Sequence, residues 1–226
     1  MDKLEIRERL AEIGIIPVVR ASSPEIACIT ADAVAAGGIP IVEITMTVPG
    51  AIEVIRDLTR NARNGLLIGA GTVLDVETAE RCIEAGAKFL VSPVLDLKTV
   101  ALAARRGVVM IAGALTPTEI LTAWDAGSDF VKVFPCGSLG GPAYLKALRG
   151  PLPQVPLVPT GGVSLETAGD FIRAGAAALG VGNELLQPEA PRAEMSAAIS
   201  RTAARFAAIV REVRSEMTAE AASQRA

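Results

Sequence analysis

The sequence lacks histidine altogether and is poor in the other residues that bind metals or form disulfide bonds. Its three cysteines, Cys28, Cys82 and Cys136, are widely spaced, and none belongs to a CxxC pair. These absences exclude His-based catalytic triads, His proton shuttles and the common His-ligated zinc sites, and they make a disulfide framework an unsuitable interpretation. Any acid–base chemistry must therefore use Lys, Glu, Asp, Tyr, Cys or water.

Aromatic residues and an excess of either charge are also scarce. Aromatics make up 3% of the residues and the formal net charge is −3, so neither stacking nor a basic surface favours a nucleic-acid partner. No run of about 18 apolar residues occurs, and the amphipathic N-terminus lacks the apolar core of a signal peptide. We therefore expect no membrane partner and a cytoplasmic location.

What the 226 residues do contain is a repeated alternation of short apolar runs and helix-like segments. The runs are rich in β-branched residues and nearly continuously apolar, as is typical of parallel strands covered by helices on the outside. They are IIPVVR (15–20), IVEITM (41–46), LLIGAGTV (66–73), FLVSP (89–93), VVMIAG (108–113), FVKVFP (130–135), PLVPTGG (156–162) and ALGVG (178–182).

The segments between these runs start at polar residues or proline and often end at glycine, as helices do. Ser23, Asp75, Thr116 and Ser164 mark such starts. Eight strand–helix units at a spacing of about 20 to 27 residues predict an α/β fold, a (β/α)8 TIM barrel preceded by an N-terminal helix. A doubly wound open sheet is the rival architecture, but no strand–turn–helix carries GxGxxG.

The domain prediction is a single barrel domain over residues 1–214, with a last helix from about 190 to 214. Residues 215–226 form a polar, Ala-rich C-terminal tail that we expect to lie on the surface or fray.

Two charged residues lie inside predicted strands. Because strand side chains alternate between faces, Lys132 in FVKVF shares the inward face with Phe130 and Phe134, and Glu43 in IVEIT shares the inward face with Thr45. A buried structural ion pair is one interpretation. The other is catalytic: burial lowers the pKa of a lysine, so a free amine can attack a carbonyl carbon while Glu43 moves protons as general acid and base.

Further candidates follow the strand ends, where barrel active sites are built. Arg20 and Thr72 follow or end strands 1 and 3, and Ser92-Pro93 ends strand 4. The glycine-rich stretches Pro159-Thr160-Gly161-Gly162 and Gly180-Val181-Gly182-Asn183 follow strands 7 and 8, the common position of a barrel phosphate site. Gly140-Gly141-Pro142 either lines the mouth or only starts a helix, and Cys136 is interpreted as a bystander.

The stretches VEIT, GAGTV, SPVLD, KVFPCGSLGGPAYLKAL and PTGGV, in this order, resemble the bacterial 2-keto-3-deoxy-6-phosphogluconate (KDPG) aldolase / 4-hydroxy-2-oxoglutarate (KHG) aldolase family. The resemblance covers roughly residues 4–187. It implies a class I aldolase, usually a homotrimer, that needs no metal or organic cofactor and cleaves a small-molecule 2-keto-3-deoxy acid into pyruvate and an aldehyde.

The resemblance also implies roles for individual residues. Lys132 would form the Schiff base and Glu43 would be the general acid and base. The substrate-binding residues would be Arg20 and Thr72 at the carboxylate, Pro93 and Phe134 as pocket walls, and Thr160, Gly161, Gly162, Gly182 and Asn183 at the distal hydroxyls and phosphate.

Two positions depart from the family pattern. Thr47 stands where many members carry an Arg, and Asn183 stands where a Ser often contacts phosphate. The resemblance implies KDPG or KHG as the substrate. Because of the two departures, the 6-phosphogalactonate analogue and an unphosphorylated keto acid are kept as alternatives. A non-aldolase phosphate-binding barrel and a non-catalytic binding barrel remain as rival functions.

Overall fold

A computed structural model describes residues 1–61, 65–186 and 192–223 of the chain. The strands are β1 (Ile15–Val19), β2 (Ile41–Thr45), β3 (Leu67–Gly71), β4 (Phe89–Val91), β5 (Val109–Ala114), β6 (Phe130–Val133), β7 (Leu157–Pro159) and β8 (Leu179–Val181). The helices are α1 (Lys3–Ile13), α2 (Pro24–Ala36), α3 (Ala51–Arg60), α4 (Val76–Glu84), α5 (Leu97–Arg106), α6 (Pro117–Asp125), α7 (Pro142–Arg149), α8 (Ala168–Arg173), α9 (Asn183–Leu186) and α10 (Arg192–Ser223).

The strands form a parallel barrel, as predicted. Their order is β7-β6-β5-β4-β3-β2-β1-β8, and a parallel bridge between Thr160 and Gly180 brings the two ends of the sheet together. Every residue of the strands is buried, because the core fills the inside of the barrel and helices cover the outside. Helix α1 precedes β1, which confirms the predicted N-terminal helix.

Local capping chemistry explains where several of the helices begin. Ser23, Asp75 and Thr116 cap α2, α4 and α6 by accepting a backbone N–H bond three residues ahead, as the sequence predicts. Ser164 does not start its helix: α8 begins four residues later, at Ala168. The Ser164 hydroxyl accepts from the Glu166 N–H at 3.2 Å and so closes a local turn instead.

The last helix continues through Ser223, without a break at the predicted boundary at residue 214. Its residues 215–223 are exposed, in line with their polar character. Residues 190 and 191, where the last helix was predicted to begin, and residues 224–226 of the predicted tail lie outside the described residues. Within the described ranges, no helix combines the length and apolar character needed to cross a membrane.

Candidate active site

Lys132 lies in the middle of β6 and points into the barrel. It is 3% exposed, its register partners are Gly113 on β5 and Val158 on β7, and its Nζ lies 5.2 Å from the centre of the Phe134 ring. The period of two along the strand places Phe130, Lys132 and Phe134 on one face, and the amine lies beside the Phe134 ring.

Glu43 occupies the corresponding middle position of β2, facing the same interior. It is 2% exposed, and its register partners are Val18 and Gly69. The Glu43 carboxyl lies against the bare backbone of Gly71, where any added Cβ would overlap it. One of its oxygens, Oε1, is buried and has no hydrogen-bond partner within the described residues. A buried acceptor without a partner is costly and is commonly found where a ligand completes the site.

Burial shifts the pKa values of Lys132 and Glu43 in opposite directions. It lowers the pKa of Lys132, a change that nearby Glu43 opposes and Arg20 reinforces. Burial likewise raises the pKa of Glu43, and the positive charges of Lys132 and Arg20 only partly offset this. Among the described residues, neither side chain forms an ion pair. Both pKa shifts are thus in the direction of the uncharged forms, and the two side chains do not form the structural ion pair.

Arg20 and Thr72 lie where β1 and β3 end. The Arg20 side chain is exposed at the mouth and has no hydrogen-bond or ion-pair partner in the part of the chain that the structure describes. Thr72 has φ of 58°, the one positive value among the described non-glycine residues. A β-branched residue in this conformation stores about 1–3 kcal/mol of strain, which structures retain mostly at functional positions.

A cavity of about 290 Å³ opens at the carboxyl end of the barrel. Seven predicted substrate-binding residues line it: Arg20, Phe134, Thr160, Gly161, Gly162, Gly182 and Asn183. Lys132, Glu43, Thr72 and Pro93 do not line this cavity. Lys132 precedes Phe134 by one inward position, so its amine lies deeper in the barrel than the cavity. The Phe134 ring lines the cavity and also lies beside the Lys132 amine.

The turn after β7 presents backbone donors to the cavity. Gly161 and Gly162 have φ of 83° and 79°, and within the described residues neither N–H donates a hydrogen bond. Gly162 also packs directly on the backbone of Gly137, where a Cβ on either residue would overlap the other. Free amides on a turn of this shape are suited to binding an oxyanion.

Gly180, part of the predicted glycine-rich stretch 180–183, also lines the cavity. Sequence reasoning missed the rest of the lining: Val18, Val163, Ser164 and Glu184. Their positions beside predicted strand ends were a usable signal, but the pattern gave no reason to prefer them. Glu184 is the most consequential, since it adds an exposed carboxylate beside Asn183 in the predicted phosphate region. Arg20 is the single cationic residue among those that line the cavity.

The threonines at the end of β2 support the position of Arg20. The buried Thr45 hydroxyl donates to the carbonyl oxygen of Val19 at 3.0 Å and lies 2.7 Å from the hydroxyl of Thr47. Thr47 is exposed at the position where the sequence departs from the family pattern. The end of β1 is thereby fixed beside the end of β2.

The remaining candidates stay outside the cavity. Cys136 is buried, and burial raises the pKa of its thiol to about 11, so the thiol stays protonated and unreactive near neutral pH. Gly140 and Gly141 do not line the cavity, and Pro142 is the first residue of α7. Within the described residues, no group of three or more His, Cys, Asp and Glu side chains could hold a metal ion.

Fold and site together define a class of protein: a barrel in which a buried amine and a buried carboxyl group stand below a cavity lined by one cation and free backbone amides. An amine of this kind suits attack on a carbonyl carbon, and the amides suit an anionic substrate. The sequence model of a protein family described as KDPG and KHG aldolase matches residues 6–202. The chain belongs to this family of aldolases, which are lyases.

Relatives of known name agree with the family. The chain is 38% identical over 169 residues to the 2-dehydro-3-deoxy-phosphogluconate aldolase of Treponema pallidum (strain Nichols), covering 75% of this chain and 80% of that protein. It is 32% identical over 204 residues to the 2-dehydro-3-deoxy-6-phosphogalactonate aldolase of Escherichia coli (strain K12), covering 90% of this chain and 96% of that protein.

A solved structure matches the fold closely. It is the KDPG aldolase of Legionella pneumophila with pyruvate captured at low pH as a covalent carbinolamine intermediate. The TM-score is 0.81 at 28% sequence identity, covering 88% of this chain and 97% of that chain.

Proposed function

We propose that this protein is a class I aldolase that cleaves a 2-keto-3-deoxy sugar acid into pyruvate and an aldehyde through a Schiff base on Lys132. The main support is the pair of buried groups, Lys132 and Glu43, which form no ion pair with each other. Burial lowers the pKa of Lys132 and raises the pKa of Glu43. A covalent pyruvate carbinolamine in the structurally similar Legionella aldolase supports the same chemistry.

The first half of the reaction joins substrate to enzyme. The Lys132 Nζ attacks the C2 carbonyl carbon and forms a carbinolamine, whose hydroxyl takes a proton from Glu43 and leaves as water. The product is an iminium ion on Lys132, and Glu43 is left as a carboxylate. The raised pKa of Glu43 suits it to give this proton near neutral pH.

The second half breaks the carbon–carbon bond. The Glu43 carboxylate takes the proton of the C4 hydroxyl, the C3–C4 bond breaks, and its electron pair moves into the iminium to give an enamine and a free aldehyde. Glu43 then returns the proton to C3, and water hydrolyses the resulting iminium to release pyruvate and the free amine of Lys132, while the proton set free in the hydrolysis passes to the Glu43 carboxylate.

The other site residues are assigned to substrate binding. Arg20 and Thr72 would hold the carboxylate and neighbouring oxygens, because Arg20 is exposed at the mouth and has no partner among the described residues. Phe134 and Pro93 would form the walls. Thr160, Gly161, Gly162, Gly182 and Asn183 would contact the distal hydroxyls and a phosphate if one is present, as their place in the cavity suggests.

The aldehyde half of the substrate is left open by these contacts. KDPG or KHG is the expected substrate, giving glyceraldehyde 3-phosphate or glyoxylate beside pyruvate. The named relatives act on both the gluconate and the galactonate forms of the phosphorylated acid, so the galactonate analogue is a direct alternative. An unphosphorylated keto acid is the other alternative, since Glu184 and Asn183 weaken the phosphate region.

Borohydride trapping tests the proposal. The protein is incubated with pyruvate and sodium borohydride, and the adduct is located by intact-mass and peptide mass spectrometry. A reduced pyruvate adduct on Lys132 is expected. No adduct on protein shown to be folded by circular dichroism would overturn the Schiff-base mechanism and favour a non-aldolase phosphate-binding barrel or a non-catalytic binding barrel.

Two broader predictions accompany the function. The protein is expected to form a homotrimer, from the family resemblance, and to act in the cytoplasm, from the lack of a long apolar run and of a signal-peptide core in the sequence. Light scattering coupled to size-exclusion chromatography measures the first: a mass of one chain at micromolar concentration would contradict it.

A further inference from the structure

Several inward positions of the barrel strands are glycine, namely Gly69 and Gly71 on β3, Gly113 on β5 and Gly180 on β8. None of them has a positive φ, so their backbones would accept alanine. The reason for glycine at each position must therefore be the neighbouring atoms that an added side chain would overlap.

At Gly71 an added Cβ would overlap the Glu43 side chain from Cγ to Oε1. The Gly71 carbonyl accepts from the Met46 N–H at 2.8 Å, which fixes the backbone of β3 beside β2 at this point. Glu43 is also 2% exposed, so its carboxyl has little free space into which it could withdraw. The missing side chain of Gly71 is therefore the volume that the Glu43 carboxyl occupies.

Gly69 has a different occupant, although it is the register partner of Glu43. A Cβ on Gly69 would overlap the ring of Phe89, which enters from β4 on the other side. Because the Phe89 ring fills the space directly beside Glu43, the carboxyl lies over Gly71, one inward position nearer the carboxyl end of the barrel. That is the end at which the cavity opens.

The other two inward glycines also make room for site residues. A Cβ on Gly180 would overlap the Thr160 hydroxyl, and Thr160 lines the cavity. A Cβ on Gly113, the neighbour of Lys132, would overlap the backbone of Pro93 and Val94. Three of the four glycines thus leave space for residues of the candidate site, and the fourth leaves space for a core aromatic.

We propose that Gly71 and Gly180 are positioning residues, whose missing side chains hold the Glu43 carboxyl and the Thr160 hydroxyl in the places where they act on the substrate. The proposal rests on the proposed function. It adds Gly71, which lies beneath the Glu43 carboxyl, and Gly180, which lines the cavity beside Thr160, and it assigns them different steps: Gly71 to proton transfer at pyruvate, and Gly180 to the distal part of the sugar acid.

The first experiment compares Gly71→Ala with Gly69→Ala. The probe is pyruvate in deuterated water, where nuclear magnetic resonance follows exchange of its methyl protons through the enamine. Displacing a proton-transfer group by about 1 Å reduces the rate by about 100-fold, and that loss is expected for Gly71→Ala. Gly69→Ala also overpacks the core, but against the Phe89 ring and not against the Glu43 carboxyl, so it lowers the melting temperature and leaves exchange per folded molecule within about threefold of wild type.

A double-mutant cycle covers the case in which Gly71→Ala folds poorly. In a Glu43→Ala background the volume beside position 71 is empty, so adding Gly71→Ala should change neither the residual exchange nor the melting temperature further. Equal losses in the two backgrounds would show that the alanine acts elsewhere and would overturn the proposal for Gly71.

Gly180→Ala supplies the second readout. It should raise KM for cleavage of KDPG about tenfold, because Thr160 is displaced from the distal part of the cavity, and it should reduce pyruvate exchange far less than Gly71→Ala does. A parallel loss of exchange would overturn the separate assignment of Gly180.

Borohydride trapping on each variant separates this inference from the proposed function. If the wild-type protein yields no pyruvate adduct, the aldolase mechanism itself is wrong. If it yields the adduct and Gly71→Ala exchanges pyruvate protons at the wild-type rate, only the positioning role of Gly71 is wrong.

Discussion

At the amino-terminal end of the barrel, the guanidinium of Arg214 donates hydrogen bonds to the carbonyl oxygens of Ala11, Glu12 and Ala177 at 2.6 to 2.9 Å. At the carboxyl end, the guanidinium of Arg20 has no partner among the described residues. The same side chain type thus joins α10 to α1 and to the start of β8 at one end, and is left free at the other.

The contrast extends to the carboxylates. Asp129, just before β6, pairs with Lys3 at 2.9 Å and accepts from the Met110 N–H at 2.8 Å, whereas Glu43 Oε1 has no partner among the described residues. Polar groups with hydrogen-bond or ion-pair partners stabilise the fold. Buried polar groups without partners are commonly found where a ligand binds. Substitutions at the two ends should therefore separate stability from activity.

The largest expected effect is that of Lys132→Met, which removes the amine and keeps an unbranched apolar side chain. Because the covalent intermediate would be lost, we expect kcat for KDPG cleavage to fall by at least about 10⁴-fold. Stability should not fall, since a buried polar group is replaced by an apolar one. Steady-state kinetics and thermal melting measure both, and retained turnover would contradict the Schiff-base mechanism.

Glu43→Gln should have the next largest effect. The amide keeps the shape of the side chain but can neither give nor take the proton, so kcat should fall by about 10²- to 10⁴-fold. The pyruvate adduct on Lys132 should still form on long incubation. A variant that loses the adduct as well would indicate that formation or dehydration of the carbinolamine itself requires the Glu43 carboxyl group.

Arg214→Met tests the opposite end. Three carbonyl oxygens lose a charged donor while the apolar stem is kept, so the free energy of unfolding should fall by about 3 kcal/mol. The kcat of the folded enzyme should stay within about twofold of wild type. Arg173→Met is the matched control: its ion pairs with Asp170 and Glu216 are exposed, so the loss should be at most about 1 kcal/mol. Equal losses in both variants would remove the special role of Arg214.

The pH dependence of stability gives a smaller, signed effect. Burial lowers the pKa of Lys132 below its ordinary 10.5, so between the lowered value and 10.5 the unfolded chain binds more protons than the folded protein. Stability therefore rises with pH in that window. Lys132→Met lacks this titration, so its free energy of unfolding should rise less steeply with pH than that of wild type when both are measured by urea denaturation. Parallel curves would mean that Lys132 is charged in the folded protein.

The architecture and the inward placement of Lys132 and Glu43 follow from the sequence because both depend on local rules. The period of two places these two residues inside the barrel, apolar runs place the strands, and Ser23, Asp75 and Thr116 mark the starts of three helices. Strand ends also locate Arg20 and Thr160, since parallel strands bring their carboxyl ends to one face.

What the sequence could not supply depends on which volumes are filled across strands. Gly71 looks like an ordinary strand glycine until the Glu43 carboxyl is seen lying over it. Ser164 has the chemistry of a helix cap, but its hydroxyl closes a turn with Glu166. Glu184 is one residue beyond a predicted site residue, and only the shape of the cavity includes it.

The smallest effect expected is that of Glu184→Gln, which sharpens the comparison within the carboxyl end itself. Exposed charges interact through water, so removing this carboxylate should improve kcat/KM for glyceraldehyde 3-phosphate over glyceraldehyde, in condensation with pyruvate, by only about two- to fivefold. The gain should shrink at high salt, because the interaction is screened.

The control is Glu166→Gln, an exposed carboxylate that does not line the cavity. A gain for phosphate in the Glu184 variant alone would show that this residue sets the preference for the distal group of the substrate. An equal gain in both variants would reduce it to a general effect of net charge, and the distal preference would then depend on Asn183 and the free amides of Gly161 and Gly162.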